Sequence, residues 1–211
     1  MPFKSSSAHA SLLPATNPCL NTDFYQITMA AGYFQHQSDS HASFELYLRR
    51  LPDHRLFIVS AGLSQALQYL SDLSFSAEHT AYLKQHPALE HLPESFFKAL
   101  STLRFTGDVE ALPEGTLCFA HTPLLRITAP AMQAQLVETY LLALINYQSN
   151  VASKAARIAQ VLQKYRSRVT GEAPTFIDFG SRRAQGPEAA LHAARAAYIG
   201  GAVAPSNVAA G

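Results

Sequence analysis

The stretch TFIDFGSRRAQGPEAALHAARAAYIGGAVA, residues 175–204, decides the fold, because it predicts a strand, a turn and a helix in that order. Residues 175–179 are a short apolar strand. Pro187 at the first helical position and Glu188 in the first turn are typical of a helix start, and Gly200-Gly201 ends the helix. The stretch is therefore a βα unit, the repeating element of α/β folds with a parallel sheet.

A second strand at residues 202–204 and a cap at Ser206-Asn207 begin the next βα unit. A parallel sheet needs further βα units to cover and close it, eight of them in a barrel, and the chain supplies at most two. We therefore expect an incomplete α/β barrel over residues 131–211, with the sequence as the N-terminal portion of a longer protein.

Upstream of this unit, apolar residues at helical spacing predict two long helices, over residues 132–145 and 151–165. Before them, residues 105–127 alternate Thr, Val, Phe and Leu with breakers, and the LPEG sequence at 112–115 fits a turn. This pattern predicts a β-meander of about three strands that ends at Pro130.

Residues 17–130 are expected to form an N-terminal α/β domain, preceded by a loose leader over residues 1–16. Thr22-Asp23 caps a predicted helix over 22–36, and a strand over 41–50 places Phe44, Leu46 and Leu48 on a core face. A buried strand at 56–60, a helix at 63–70 and short helices between 75 and 102, interrupted at Pro87 and Pro93, complete the domain.

Composition excludes several classes of protein. Charged residues make up 15% of the chain and apolar residues 48%, with a net charge of +1, which excludes a disordered chain. Cys19 and Cys118 form no disulfide or zinc pattern and indicate a reduced, cytoplasmic setting. There is no secretory signal before Cys19, and the uncharged stretch 139–153 is too short to span a membrane.

The charge is distributed unevenly between the two predicted regions. Residues 1–150 hold 8 basic and 12 acidic side chains, whereas residues 151–211 hold 8 basic and 3 acidic ones, which favours an anionic ligand such as a phosphate. Arg182 and Arg183 directly follow the strand at 175–179, where α/β enzymes carry their sites; the alternative is an interdomain salt bridge.

The other basic residues of this region are explained more simply. Lys164, Arg166 and Arg168 fit the solvent-exposed end of a helix. Lys154 and Arg157, one turn apart, fit either a solvated face or a ligand site. Few aromatic residues accompany these charges, so nucleic-acid binding is not indicated.

Common catalytic and nucleotide-binding motifs are absent. Neither GxGxxG, GxxxxGK[ST] nor GxSxG occurs, and Cys118 in a predicted strand fits a small buried side chain. His36 with His41 and His86 with His91 are five residues apart, a spacing that puts neither pair on one helical face. No metal site follows from these residues.

Eight short motifs, in order along the chain, together resemble the nicotinate phosphoribosyltransferase family. They are TDFYQITM at 22–29, FELYLRRLP at 44–52, AGL at 61–63, LPEGT at 112–116, AQLVET at 134–139, SKAAR at 153–157, FGSRRAQGP at 179–187 and YIGG at 198–201. The resemblance implies a type II phosphoribosyltransferase fold, in which an N-terminal α/β domain precedes an irregular α/β barrel that carries the site.

The resemblance also implies a reaction and its requirements. Nicotinate and phosphoribosyl pyrophosphate would give nicotinate mononucleotide and pyrophosphate, with ATP hydrolysis and Mg²⁺, as a step of NAD biosynthesis. A homodimer would share the site between its subunits. A related enzyme acting on nicotinamide or quinolinate is the alternative, and from another class, a truncated chain that acts only as a dimerising partner.

Site residues follow by resemblance. Phe179 and Tyr25 match two aromatic rings that sandwich the pyridine, Tyr25 coming from the partner subunit; from the sequence alone Tyr25 would be a core residue of its helix. Arg182 would contact the substrate's carboxylate or phosphate, with Arg183 and Ser181 beside it. Arg49 and Arg50 would reach pyrophosphate from the partner subunit. The chain departs from the family at residues 204–206, Ala-Pro-Ser in place of Gly-Thr-Ser, and it stops before the histidine that ATP phosphorylates in the family.

Overall fold

The computed structural model describes residues 18–36 and 40–211, so the predicted leader at 1–16 lies outside the described residues. The chain folds into helices and strands of mixed order, which confirms the α/β prediction. The helices are α1 (Phe24–His36), α2 (Leu63–Asp72), α3 (Ala77–Lys84), α4 (Glu94–Thr102), α5 (Ala131–Leu136), α6 (Glu138–Leu162) and α7 (Pro187–Ile199). The strands are β1 (His41–Tyr47), β2 (Ile58–Val59), β3 (Asp108–Ala111), β4 (Leu117–Cys118), β5 (Pro123–Pro130), β6 (Ile177–Asp178) and β7 (Ala204–Pro205).

An antiparallel sheet of order β1-β5-β3 forms the centre of the N-terminal region. Its middle strand buries Leu125 and Ile127 in the core. On the opposite, exposed face Arg126 lies between two carboxylates, bonding Glu45 on β1 and Glu110 on β3 at 2.6 and 2.9 Å. Because cross-strand pairs of opposite charge stabilise one alignment, this row supports the register of all three strands.

The predicted β-meander is wrong in its pairing, although its three strands exist. β4 pairs with β2 in a separate two-stranded sheet, while β3 and β5 pair with each other. The LPEG turn directs the chain away from β3: Gly115, at φ +85°, donates its N–H to the Ser60 carbonyl at 2.8 Å, and Ser60 donates to Thr116 at 2.9 Å. The backbone of this turn is thus tied to the segment after β2.

After Pro130 the structure has one short and one long helix in place of the two long helices predicted. A short α5 ends at Leu136, and α6 then continues for 25 residues without a break near residue 146. The polar residues there do not interrupt the helix, because Asn150 bonds back to the Asn146 carbonyl at 2.9 Å and Gln148 lies fully buried. The predicted domain boundary at Pro130 stays a prediction; α5 follows β5 directly at this point.

Burial along β1 and β2 only partly follows the predicted pattern. Leu46 and Leu48 pack against the core as expected, but Phe44 is 40% exposed. In the predicted strand at 56–60, Ile58 and Val59 are buried whereas Leu56 is exposed. The exposed Phe44 lines a groove beside α5 and α6 instead of entering the core.

The C-terminal βα unit is confirmed. β6 and β7 pair in parallel, Ile177 with Ala204, and α7 connects them, starting at Pro187. The end of α7 packs closely on α6, as Gly200, the residue after α7, shows: a Cβ atom added to it would clash with the Ala152 carbonyl oxygen. No helix in the described ranges is long and apolar enough to cross a membrane.

Candidate functional site

The loop after β6 presents the predicted Phe179 and arginine residues at the carboxyl end of a parallel strand. Asp178 ends the strand, and its Oδ1 accepts the Gly180 N–H at 3.0 Å, which turns the chain sharply. A short 3-10 helix, Ser181–Arg183, follows and is held by the bond from Arg183 N–H to the Gly180 carbonyl at 2.8 Å. These local bonds explain why the sequence motif FGSRR predicts a turn at this edge of the sheet.

Phe179 is 67% exposed, and Ser181 and Arg182 line an open hollow of about 590 Å³ between this loop, the start of α7 and Asn207. Within the described part of the chain, neither Arg182 nor Arg183 forms a salt bridge. The Asp178 Oδ2 and Ser181 Oγ atoms are buried without a hydrogen-bond partner there. Exposed guanidinium groups beside an exposed aromatic ring are suited to a flat, anionic ligand.

The salt bridge considered as the alternative for Arg182 and Arg183 is absent in the described residues, whereas Arg195 of α7 does form one. Its guanidinium grips Glu114 of the LPEG turn with two bonds, at 2.8 and 2.6 Å. The same carboxylate accepts the N–H groups of Gly62 at 2.6 Å and Leu63 at 3.1 Å, at the start of α2. Motifs 61–63 and 112–116 therefore meet α7 at one carboxylate.

This arrangement sets the protonation of Glu114. Burial raises the pKa of the carboxyl group, but the bonds from Arg195 and from the two backbone N–H groups outweigh it, so the pKa of Glu114 lies below its ordinary value. The charged pair thus stays formed near neutral pH and joins the N-terminal region to the helix that follows the arginine loop.

Tyr25 lies at the other predicted part of the site, on the first turn of α1. It is 48% exposed, so its interpretation as a core residue is wrong. The neighbouring Gln26 is fully buried and donates to Glu138, the first residue of α6, at 2.9 Å. Gln135 donates in turn to the Gln26 side-chain oxygen. Motifs 22–29 and 134–139 thus form one polar contact between α1, α5 and α6.

Arg49 lines a groove of about 360 Å³ that also contains Phe44 and Glu138, between β1 and the helices α5 and α6. Arg50 is exposed and does not line this groove. The structure therefore brings Arg49 into the same region as the carboxylate that contacts Tyr25. No hydrogen bond, salt bridge or ring contact within the described ranges joins Tyr25 or Arg49 to Phe179 or Arg182.

Lys164, Arg166 and Arg168 are solvent-exposed, as predicted. Arg166 bonds the Gly171 carbonyl at the exposed end of α6, while Lys154 and Arg157 lie exposed on α6. In the described ranges no group of three or more His, Cys, Asp or Glu side chains could hold a metal ion. Neither cysteine forms a disulfide within the described residues, and both are buried, which confirms Cys118 as a small core residue.

Several residues that build these regions were missed by sequence reasoning. Gln26, Glu114 and Glu138 lie inside the quoted motifs, and that position was the available signal. Arg195 lies outside the quoted motifs, and its available signal was different: it is a single arginine within an alanine-rich helix. Ser149 and Ser153 on α6 were also missed: they accept the N–H groups of Ala61 at 3.1 Å and Val59 at 2.8 Å.

Comparison with known proteins supports a family assignment. The family model described as the nicotinate phosphoribosyltransferase (NAPRTase) N-terminal domain matches residues 20–146. The nicotinate phosphoribosyltransferase of Bacillus subtilis is 42% identical over 193 residues, 91% of this chain and 37% of that protein. Nicotinate phosphoribosyltransferase pncB2 of Mycobacterium tuberculosis is 39% identical over 189 residues, 90% of this chain and 38% of that protein.

Among solved structures, human nicotinic acid phosphoribosyltransferase superimposes with a TM-score of 0.79 at 36% identity, covering 90% of this chain and 37% of that one. The chain thus spans less than two-fifths of the length of these relatives. The matched residues include α1, the central sheet and the start of α6, where the contacts described above lie. The chain belongs to the nicotinate phosphoribosyltransferase family.

Proposed function

We propose that this chain forms part of an enzyme that joins nicotinate to phosphoribosyl pyrophosphate, giving nicotinate mononucleotide and pyrophosphate in NAD biosynthesis. The observation that carries the proposal is the loop after β6, which exposes Phe179 and also carries two arginines without a salt bridge in the described ranges. Relatives 39–42% identical to the chain are named for this activity. Neither Cys19 nor Cys118 is in a disulfide within the described residues, which fits a cytoplasmic location.

Phe179 and Tyr25 would hold the pyridine ring between them, Tyr25 being supplied by a second copy of the chain in a homodimer. Both rings are exposed, by 67% and 48%, and therefore available to a ligand or a partner. Stacking fixes the plane of the ring and leaves its nitrogen free to attack C1 of the ribose, so the two rings act by orientation.

The arginines would supply the charge that these substrates require. Arg182, lining the hollow beside Ser181, would bind the nicotinate carboxylate or the phosphate, with Arg183 in support. Arg49, with Arg50 close to it, would bind pyrophosphate from the groove on β1. Pyrophosphate gains negative charge as it leaves, so fixed guanidinium groups stabilise the transition state more than the ground state.

Mg²⁺ and ATP remain part of the proposal for the complete reaction. The described residues contain no cluster of three or more His, Cys, Asp or Glu side chains that fits a protein-held metal ion. The sequence likewise has no Walker loop for ATP.

The test is formation of the mononucleotide by the full-length protein carrying this sequence, detected by mass, with nicotinate, nicotinamide and quinolinate offered in parallel. We expect product with nicotinate, and Tyr25→Ala and Arg182→Ala should each lower kcat/KM for nicotinate at least about tenfold. Arg168→Ala, exposed beyond the end of α6, is the matched control and should leave it unchanged. Product only from nicotinamide or quinolinate, or no product, would contradict the proposal.

A further inference from the structure

Tyr25 and Gln26 occupy consecutive positions on α1 but face different surroundings. Tyr25 is half exposed, whereas Gln26 is completely buried against α5 and α6. Gln26, which anchors the helix, therefore directly follows Tyr25, the residue whose ring is proposed to stack on the pyridine. The groups of α5 and α6 that contact these two residues consequently affect both the position of the Tyr25 ring and the charge around it.

A single carboxylate, that of Glu138, lies behind both residues. Its Oε2 accepts Gln26 Nε2 at 2.9 Å and Gln135 Nε2 at 3.3 Å. Its Oε1 accepts a weaker hydrogen bond from Tyr25 Oη, at 3.5 Å. An ionised carboxylate only accepts hydrogen bonds, so all three donors fix its orientation.

A second negative charge, that of Asp23, lies close enough to act on Tyr25. Asp23 accepts the Thr139 hydroxyl at 2.9 Å, which ties the start of α1 to α6. Burial and then the charges of Glu138 and Asp23 raise the pKa of the Tyr25 hydroxyl above its ordinary value. The phenol therefore stays protonated, and the ring remains neutral in a negative field.

The proposed reaction creates a positive charge where this field acts. The lone pair of the pyridine nitrogen forms the bond to C1 of the ribose, while the C1–O bond breaks and its electron pair leaves with pyrophosphate. The nitrogen then has four bonds, and the ring becomes a pyridinium cation. A cation over an aromatic face is attracted to the ring's negative π surface, and nearby negative charge increases that attraction.

We infer that Glu138 is a positioning residue that holds Tyr25 and makes its environment negative, so that the pair stabilises the pyridinium as it forms. The inference rests on the proposed function and deepens it. The charge is absent from nicotinate's ring before the reaction, so the effect belongs to the transition state and should appear in kcat more than in KM.

The experiment uses the full-length protein carrying this sequence and measures kcat and KM for nicotinate. Glu138→Gln should lower kcat about two- to fivefold, the size of an exposed cation–π contact, with a smaller change in KM. Tyr25→Phe keeps the ring and removes only the hydroxyl that contacts Glu138, so it should lower kcat less than Glu138→Gln does. The double variant should be no slower than the slower single variant, because both changes remove the same interaction. Glu110→Gln, an exposed carboxylate on β3, is the control and should leave kcat unchanged.

A second series remains informative if Glu138→Gln folds poorly. Phenylalanines carrying none, one, two or three ring fluorines at position 25 keep the shape of the ring and progressively weaken its negative face. We expect log kcat to fall steadily with the number of fluorines. A flat series, or losses confined to KM, would overturn the inference while leaving the proposed function intact. Absence of mononucleotide from the unmodified protein would overturn both.

Discussion

Replacing Arg195 by methionine isolates the contribution of the salt bridge that joins α7 to the N-terminal region. Methionine keeps much of the apolar stem of arginine and removes the guanidinium. In the native structure that group makes two bonds to Glu114 and one to Ser64 at 3.2 Å. The variant therefore leaves Glu114 charged, with only the N–H groups of Gly62 and Leu63 as donors.

The size of the loss follows from how buried the pair is. Removing one partner of a fully buried pair costs about 3–5 kcal/mol, whereas an exposed pair is worth about 0–1 kcal/mol. The side chains of Arg195 and Glu114 are 27% and 18% exposed, which places the pair between these limits. Since two backbone donors remain on the carboxylate, we expect the free energy of unfolding to fall by about 2–3 kcal/mol.

Urea unfolding followed by far-UV circular dichroism measures this change in free energy. Thermal unfolding should show a midpoint temperature about 4–12 °C lower in the variant. Arg126→Met is the matched control, because Arg126 also bonds two oxygens but lies on the exposed face of the sheet. We expect the control to lose much less stability than Arg195→Met. Equal losses in the two variants would refute the conclusion that burial and the shared carboxylate give the Arg195 pair its importance.

Three further predictions concern pH, packing and thiol reactivity. The pKa of Glu114 is lowered from an ordinary value of 4.5, so its contribution to stability is present above pH 4.5 and is lost as pH falls through the lowered pKa. The free energy of unfolding, measured as pH is lowered, should therefore fall more steeply in the native protein than in Arg195→Met. Gly200→Ala should lower the free energy of unfolding by about 1–3 kcal/mol in urea titrations, because its new methyl group meets the Ala152 carbonyl. Gly32→Ala has open space around it and should raise the free energy of unfolding by about 0.5–1 kcal/mol. The reverse order of stabilities would contradict the close packing of α6 and α7. Burial raises the pKa of the Cys19 thiol to about 11 and raises that of Cys118, so neither should react with a thiol reagent at pH 8 before unfolding; rapid labelling of the native protein would show that these sites open.

Local signals in the sequence predicted the parts of the fold that depend on neighbouring residues. α1, β1 and the short helices interrupted at Pro87 and Pro93 follow from apolar spacing and breakers within one or two turns. The same holds for the turn after β6, where Asp178 bonds Gly180, and for Pro187 at the start of α7. The exposed arginines of the candidate site were accordingly found from sequence.

Distant contacts could not be predicted in this way. β3 pairs with β5 instead of β4, because the Gly115 and Thr116 backbone groups bond Ser60 across the molecule. The continuity of α6 depends on burial of Gln148, which its polar character concealed. In both cases the contacting residues are far apart in sequence. The packing of helices and strands against one another therefore decides which strands pair and whether a helix continues.

By itself, the sequence determined the α/β class, the family resemblance, and the loop that carries Phe179, Arg182 and Arg183, because each depends on residues close together in the chain. Only the tertiary structure decided which charges are paired. Arg195 meets Glu114 across 81 positions, and Gln26 meets Glu138 across 112. These partners are brought together by helix packing and by the cost of leaving a buried charge or amide unpaired, which no local spacing records.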